Sequence, residues 1–283
     1  MINRELIRIK IVQLTYAYYQ NGSNNLTKAE NELIYSLSMA YSLYNYMLML
    51  VVAVSKEMRH RVEVATTRAG REGTEPPSTK FVDNRFARQL EDNLMLLDFA
   101  DEQKLSWAED IEFVRKLCSI VEQSQIYQDY MADEEDSYEA DREVWRKLYK
   151  TIKRFEMANG KRQELLPEYD DEEDKAFACK LFRATILNAD QYQRYMSDAS
   201  RNWDFSRLAY MDVVIMQIAI AEMMTFPNIP ISVTINEYVD LAKLYSTAKS
   251  GGYINGMLDT IARFLIDCGE LHKAMDPPKP RKF

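Results

Sequence analysis

The chain has 283 residues, of which 47% are hydrophobic and 28% are charged, and its formal net charge is −8. This composition is that of a globular protein and excludes a disordered or fibrous chain, while the acidic balance excludes a uniformly basic surface that coats nucleic acid. Eight glycines and eight prolines are too few for the many turns of a β-sandwich, a barrel or a βαβ array. The sequence therefore predicts an all-α fold.

Apolar residues recur every three or four positions along most of the chain, which predicts helices. The predicted segments are residues 3–20, 26–69, 84–99, 107–131, 145–159, 175–197, 208–226 and 232–245, with a last helix that begins at 250. Asn3 and Ser250 are the expected N-caps of the first and last helices. Segment 208–226 is almost uniformly apolar, with Asp212 and Glu222 as its only charges, so we expect it at the centre of the fold.

Residues 33–55 carry no charge, and a stretch of this length could span a membrane. Three serines, Asn45 and four tyrosines interrupt it before position 47, which favours a buried helix of a bundle and no membrane partner. The first residues lack the apolar run of a signal peptide, and three widely spaced cysteines form neither a disulfide framework nor a zinc site. We therefore expect a cytoplasmic protein.

The residues that usually carry chemistry are scarce. The two histidines, His60 and His272, are far apart and far from any cysteine, so we expect no metal site. No phosphate-binding loop, nucleophile elbow or zinc-protease motif occurs, and the glycines at 251, 252 and 256 lack the preceding strand of a dinucleotide site. The sequence predicts no cofactor, and it favours a helical binding protein over an enzyme.

Three segments in the last third follow one another in a recognisable order. They read RLAYMDVVIMQIAIAEM at 207–223, INEYVDLAK at 235–243 after Ile229-Pro230, and YINGMLDTIA at 253–262. Together they resemble the NusB family of bacterial transcription antitermination factors. Residues 3–16 are similar to the first helix of that family, and residues 175–189 are more loosely similar to its third.

The resemblance implies an all-α, NusB-like helical bundle of two small subdomains with a long helical insertion after the first helix. On this basis we expect residues 1–22 and 165–270 to form the NusB-like core and residues 23–164 to form the inserted helical region. Residues 271–283 are expected to be a basic, disordered tail, because prolines and lysines dominate them.

The resemblance also implies a function: binding of boxA-type nascent ribosomal RNA together with the ribosomal protein NusE, with other Nus factors and RNA polymerase as indirect partners. The expected RNA-binding residues are Arg4, Arg8, Lys10, Lys249, Ser250 and Tyr253. Arg4 and Arg8 lie one turn apart on one side of the first helix and could reach successive phosphates, and Tyr253 could stack on a base. Tyr16 and Asp212 align with family positions that face NusE.

Two alternatives stay open at this stage. The chain could be a helical protein-interaction scaffold whose insertion binds protein and whose RNA-binding surface is lost. It could also be an RNA-modifying enzyme with a NusB-like module, although residues 21–168 contain no glycine-rich strand–turn–helix pattern for a cofactor.

Overall fold

The computed structural model describes residues 1–149, 165–199 and 208–273, and every named element in these ranges is a helix. The predicted all-α fold is confirmed. The chain divides into two compact units. We call residues 2–38 and 169–283 the terminal unit, and Met1 with residues 39–168 the middle unit.

The terminal unit contains α1 (Arg4–Gln20), the first part of α2 (Leu26–Glu72), α8 (Asp174–Leu187), α9 (Ala189–Ala199), α10 (Tyr210–Thr225), α11 (Ile231–Tyr245) and α12 (Ser250–Asp267). Helix α1 begins where expected, because the side chain of Asn3 accepts a hydrogen bond from the amide of Leu6 at 2.9 Å. Helix α10 packs against α1, α8, α9, α11 and α12, and eleven of its sixteen residues are buried. The helix predicted to be central is therefore the central one of this unit.

The middle unit contains the rest of α2 together with α3 (Arg85–Glu91), α4 (Leu94–Gln103), α5 (Ile111–Gln123), α6 (Gln125–Ala132) and α7 (Tyr138–Leu148). Its core is apolar and aromatic. The ring centroids of Phe81 and Trp145 are 5.0 Å apart, and the rings of Phe81 and Tyr127 are also 5.0 Å apart. Val51 and Val54 of α2 are fully buried in the same cluster.

Three predicted helices are in fact broken by a polar residue. Residues 84–99 form α3 and α4, because Asn93 accepts a hydrogen bond from the amide of Leu96 and so begins a second helix. Residues 107–131 are divided in the same way at Ser124, whose hydroxyl accepts from the amide of Tyr127. Helices α8 and α9 meet at Asn188. In each case a side chain competes for the backbone groups at a helix end.

Helix α7 starts earlier than predicted, at Tyr138, because Ser137 caps it. The second half of the predicted helix 145–159 and most of the predicted tail 271–283 lie outside the described residues.

Helix α2 is long and apolar enough to cross a membrane by length and composition, with an 18-residue window of mean hydropathy 1.6. Core helices of soluble proteins also meet this criterion. A third of the window is buried within the protein. Along the whole helix, Leu33, Leu37 and Val51 are among the fully buried side chains.

Candidate functional site

A buried ion-pair network joins α1, α10 and α11 in the terminal unit. The guanidinium of Arg8 donates from Nε and Nη2 to the two carboxylate oxygens of Glu222, at 2.8 and 3.0 Å. Glu222 also accepts from the hydroxyls of Thr234 and Tyr238, at 2.9 and 3.0 Å, and Arg8 Nη1 donates to Glu237 at 3.1 Å. Glu222 is fully buried and Arg8 is 4% exposed, so both charges are compensated inside the protein.

This network corrects the expected exposure of Arg8. Arg8 does share one side of α1 with Arg4, but its guanidinium points into the core and is already bound by carboxylates. Burial alone would lower the pKa of Arg8, but the hydrogen bond and the charge of Glu222 outweigh it and raise that pKa. Burial and the Glu222 charge likewise raise the pKa of Tyr238 well above its usual value. Arg8 therefore holds helices together, and it is not available to a phosphate.

Arg4 and Lys10 remain at the surface of α1. The Nε of Arg4 donates to Asp174 at 3.0 Å, and its guanidinium lies 5.0 Å from the ring centroid of Phe177. Its side chain is still 38% exposed. Lys10 is half-buried. The two cations are six positions apart on α1, which corresponds to about 9 Å along the helix axis.

The start of α12 holds the other predicted RNA-binding residues. Lys249 is exposed just before the helix, and Tyr253 is half-buried in its first turn. Burial, and then the charge of Asp212, raise the pKa of Tyr253. Ser250 is not the N-cap that the sequence suggested: it is the first helical residue, it is buried, and its hydroxyl donates to Asp212 at 2.9 Å.

Asp212 also departs from its expected place on a partner-facing surface. It lies in the first turn of α10 and is 5% exposed, so its carboxylate faces inward. Tyr16, the other residue expected to face NusE, is half-buried, and its ring makes an edge contact with Tyr210 at 5.7 Å between centroids. Tyr210 is 44% exposed.

One contact joins α1 to the end of α11. The side-chain amide of Gln13 donates to the hydroxyl of Tyr245 at 2.9 Å, and Tyr245 is the last residue of α11, immediately before the loop that leads to Lys249. Lys10 lies one turn before Gln13 on α1. The middle of α1 therefore contacts the end of α11, from which the loop to Lys249 continues, whereas Arg4 lies near α8, away from this contact.

The partners of Arg8 were not predicted, although one feature of the sequence indicates that a buried charge pair is needed. Glu222 is one of two carboxylates in an almost uniformly apolar helix, and a charge at such a position requires a buried partner. Gln13, Tyr210 and Tyr245 carried no comparable signal, because their contacts join distant parts of the chain. Within the described ranges, no three histidine, cysteine, aspartate or glutamate side chains group as a metal site.

Comparison with known proteins places these elements in a family. The NusB family profile matches residues 141–263. The transcription antitermination protein NusB of Salinibacter ruber is 30% identical over 138 residues, which are 47% of this chain and 86% of the relative. The proteins of the same name from Chloroherpeton thalassium and Natranaerobius thermophilus are 37% and 45% identical over 35% and 29% of this chain, which spans 47% and 58% of their lengths.

Among solved structures, T. maritima NusB is 25% identical and is matched over 53% of this chain and 89% of its own, with a TM-score of 0.32. The relative from Salinibacter ruber is covered over most of its length at 30% identity. The residues matched by the family profile include the central helix α10, together with α8, α9, α11 and most of α12, which pack on it. The chain therefore belongs to the NusB family.

Proposed function

We propose that this chain is a transcription antitermination factor that binds boxA-type nascent ribosomal RNA together with the ribosomal protein NusE. Family membership supports the antitermination role, because the relatives are named for it. The observation that carries the RNA proposal is the contact between Gln13 and Tyr245. It joins the middle of α1 to the end of α11, from which the loop to the exposed Lys249 continues.

The RNA surface that we propose combines cations with one aromatic ring. Lys10 and Lys249 supply phosphate contacts, and Arg4 extends the surface toward α8. The ring of Tyr253 supplies a stacking platform, as aromatic side chains do for splayed bases of single-stranded RNA. Since the whole chain carries a net charge of −8, RNA binding depends on this local group of cations.

For NusE we propose the surface around Tyr16 and Tyr210, where two tyrosine rings pack edge to face and Tyr210 is 44% exposed. Aromatic residues of this kind are common anchors of protein interfaces. RNA polymerase and the other Nus factors are then reached indirectly. The proposal implies a non-enzymatic protein without a cofactor that acts in the cytoplasm, where nascent RNA is made.

A filter-binding titration with boxA-type RNA, with and without purified NusE, tests this function. We expect the dissociation constant to fall when NusE is added, and a scrambled RNA of equal length to show no such gain. Tyr253→Ala should cost about 1–3 kcal/mol of binding free energy by loss of stacking, and Tyr253→Phe, which keeps the ring, is the matched control. Equal affinity with and without NusE for both RNAs would contradict the proposal.

The second candidate is a protein-interaction scaffold, and one feature of the middle unit favours it. A groove of about 420 Å³ is lined by α2, α4 and the loop before α5, mostly with apolar side chains that include Met49, Leu97 and Trp107. Leu97 is 50% exposed. If the chain binds no RNA with NusE present, and a variant that fills this groove, Ala53→Trp, loses a protein partner, the scaffold function is the better one.

A further inference from the structure

The carboxylate of Asp212 is buried at the start of α10, and no cation among the described residues forms an ion pair with it. Its Oδ2 accepts a hydrogen bond from the hydroxyl of Ser250 at 2.9 Å. Its Oδ1 has neither solvent contact nor a hydrogen-bond partner among the described residues. Glu222 in the same helix is different, since it accepts four hydrogen bonds from Arg8, Thr234 and Tyr238.

Ser250 connects this carboxylate to the whole loop before α12. Its hydroxyl accepts from the amide of Thr247 at 3.2 Å and lies 2.8 Å from the Thr247 hydroxyl. It is also 3.1 Å from the hydroxyl of Ser246. A single buried serine thus links the loop 246–249 and the first turn of α12 to Asp212 of α10.

The same turn is held from the side of α11 by close packing. A Cβ atom on Gly251 would lie 3.1 Å from Cγ of Lys243 and 3.7 Å from the backbone oxygen of Val239. The first turn of α12 therefore lies directly against α11, while the Asp212–Ser250 bond fixes it to α10. Lys249 and Tyr253, which we propose to contact RNA, lie on either side of Ser250 in the sequence.

A buried carboxylate with a single hydrogen bond is energetically unfavourable, because the loss of its hydration destabilises the fold by more than one hydrogen bond stabilises it. The dipole of α10 offsets part of this cost, since Asp212 lies in its first turn. The geometry at the start of α12 gives the reason for an oxygen acceptor at this position, because the hydroxyl of Ser250, which contacts the loop, donates to it.

We propose that Asp212 is a positioning residue for the RNA site. Through Ser250 it fixes the first turn of α12, so that Lys249 and Tyr253 are held in one arrangement before RNA binds. Binding then does not have to order this turn, and preorganisation of this kind strengthens affinity without adding a contact. The inference rests on the proposed function for its RNA component, but the fixed position of the turn can be measured without RNA.

Four single variants of the full chain test the proposal: Asp212→Ala, Asp212→Asn, Ser250→Ala and Thr234→Val. Asn keeps an oxygen that accepts from Ser250 and removes only the charge. Thr234→Val is the matched control, because it breaks another hydroxyl-to-carboxylate bond of 2.9 Å in the same unit, to Glu222. Hydrogen exchange of the amides at 246–256 and titration with boxA-type RNA plus NusE are measured below the melting temperature of each variant.

We expect Asp212→Ala and Ser250→Ala to speed exchange at 246–256 and to weaken RNA binding about tenfold, the effect of one lost hydrogen bond. Asp212→Asn should retain wild-type exchange and affinity. Thr234→Val should lower the melting temperature without changing either. The proposal is overturned if the alanine variants leave exchange at 246–256 as slow as in Thr234→Val, or if Asp212→Asn is as impaired as Asp212→Ala.

The two hypotheses fail in different ways. If the wild-type chain binds no RNA even with NusE, the proposed function fails, while the exchange data still decide whether Asp212 fixes the turn. If wild-type RNA binding is strong and the alanine variants retain it despite faster exchange, Asp212 positions the turn for another purpose and the RNA role is rejected.

Discussion

The two units each bury a carboxylate beside an arginine, but the two arginines differ in exposure. In the terminal unit, Arg8 and Glu222 are 5% and 0% exposed at their side chains. In the middle unit, Arg85 bonds to Asp141 through Nε at 2.7 Å while its own side chain is 45% exposed. Arg85 therefore reaches Asp141 from the solvent side, whereas both partners of the Arg8–Glu222 pair are enclosed.

The stability of the terminal unit therefore depends on a buried ion pair, whereas the stability of the middle unit depends on the packing of apolar side chains. The remaining interior of the middle unit is an aromatic cluster around Phe81 and Trp145, where packing supplies the stability. In the terminal unit, one ion-pair network instead joins α1 to α10 and α11, which lie more than 200 residues later in the chain. Loss of a charge should therefore be costly in the terminal unit and minor in the middle unit.

The largest effect is expected from two deletions that test where the terminal unit ends. Removing residues 23–164 deletes Leu33 and Leu37, both fully buried, whereas removing residues 39–168 keeps them. Because a buried leucine is worth about 2–5 kcal/mol, the shorter deletion with a glycine–serine linker should melt cooperatively and the longer one should bind a hydrophobic dye. Cooperative melting of both would instead support the boundary at residue 22 that the sequence predicts.

The next largest effect compares the two arginines directly. Arg8→Ala leaves the Glu222 carboxylate buried and unpaired, which should lower the free energy of unfolding by about 3–5 kcal/mol. Arg85→Ala removes a half-exposed partner, and Asp141 keeps the hydroxyl of Tyr130 as a donor, so the loss of stability should be much smaller. Urea titration of both variants measures the difference. If Arg8→Ala keeps wild-type stability and loses RNA affinity instead, Arg8 contacts RNA as the sequence suggested.

These arginines also show where prediction from sequence stops. The spacing of Arg4 and Arg8 correctly places both on one side of α1, but the partner that buries Arg8 is Glu222, 214 positions away. Helix periodicity and the family resemblance locate α1, α10, α11 and α12 within a residue or two. The resemblance places Asp212 on a partner surface, and only the packing of α10 against α12 shows that it faces Ser250 instead.

A third prediction uses the buried tyrosine of the terminal unit. An unfolded tyrosine has a pKa near 10, and burial with the Glu222 charge holds the pKa of Tyr238 well above that value. The folded state therefore keeps the proton while the unfolded state releases it. Stability is complete below pH 10 and falls as the pH rises further, by about 1.4 kcal/mol per pH unit for one such group.

Tyr238→Phe should remove this contribution to the alkaline slope, at the cost of one hydrogen bond to Glu222 at neutral pH. Urea titrations at pH 8, 10 and 11 measure both effects. In the middle unit, burial raises the pKa of Tyr138 to about 12, so Tyr138→Phe provides the corresponding comparison there. An unchanged slope in Tyr238→Phe would mean that its hydroxyl is ionised or solvated in the folded protein.

The smallest effect concerns the breaks between helices in the middle unit, where uncharged polar side chains cap the helices. Asn93→Ala removes the acceptor for the amide of Leu96, and loss of such a cap costs about 0.5–2 kcal/mol. Asn93→Asp keeps an acceptor at the same place and adds a negative charge at a helix N-terminus, so it should retain the stability. Thermal melting of the two variants measures the contrast. Were α3 and α4 one continuous helix, as periodicity predicts, alanine would instead stabilise the segment, because it has a higher helix propensity than asparagine.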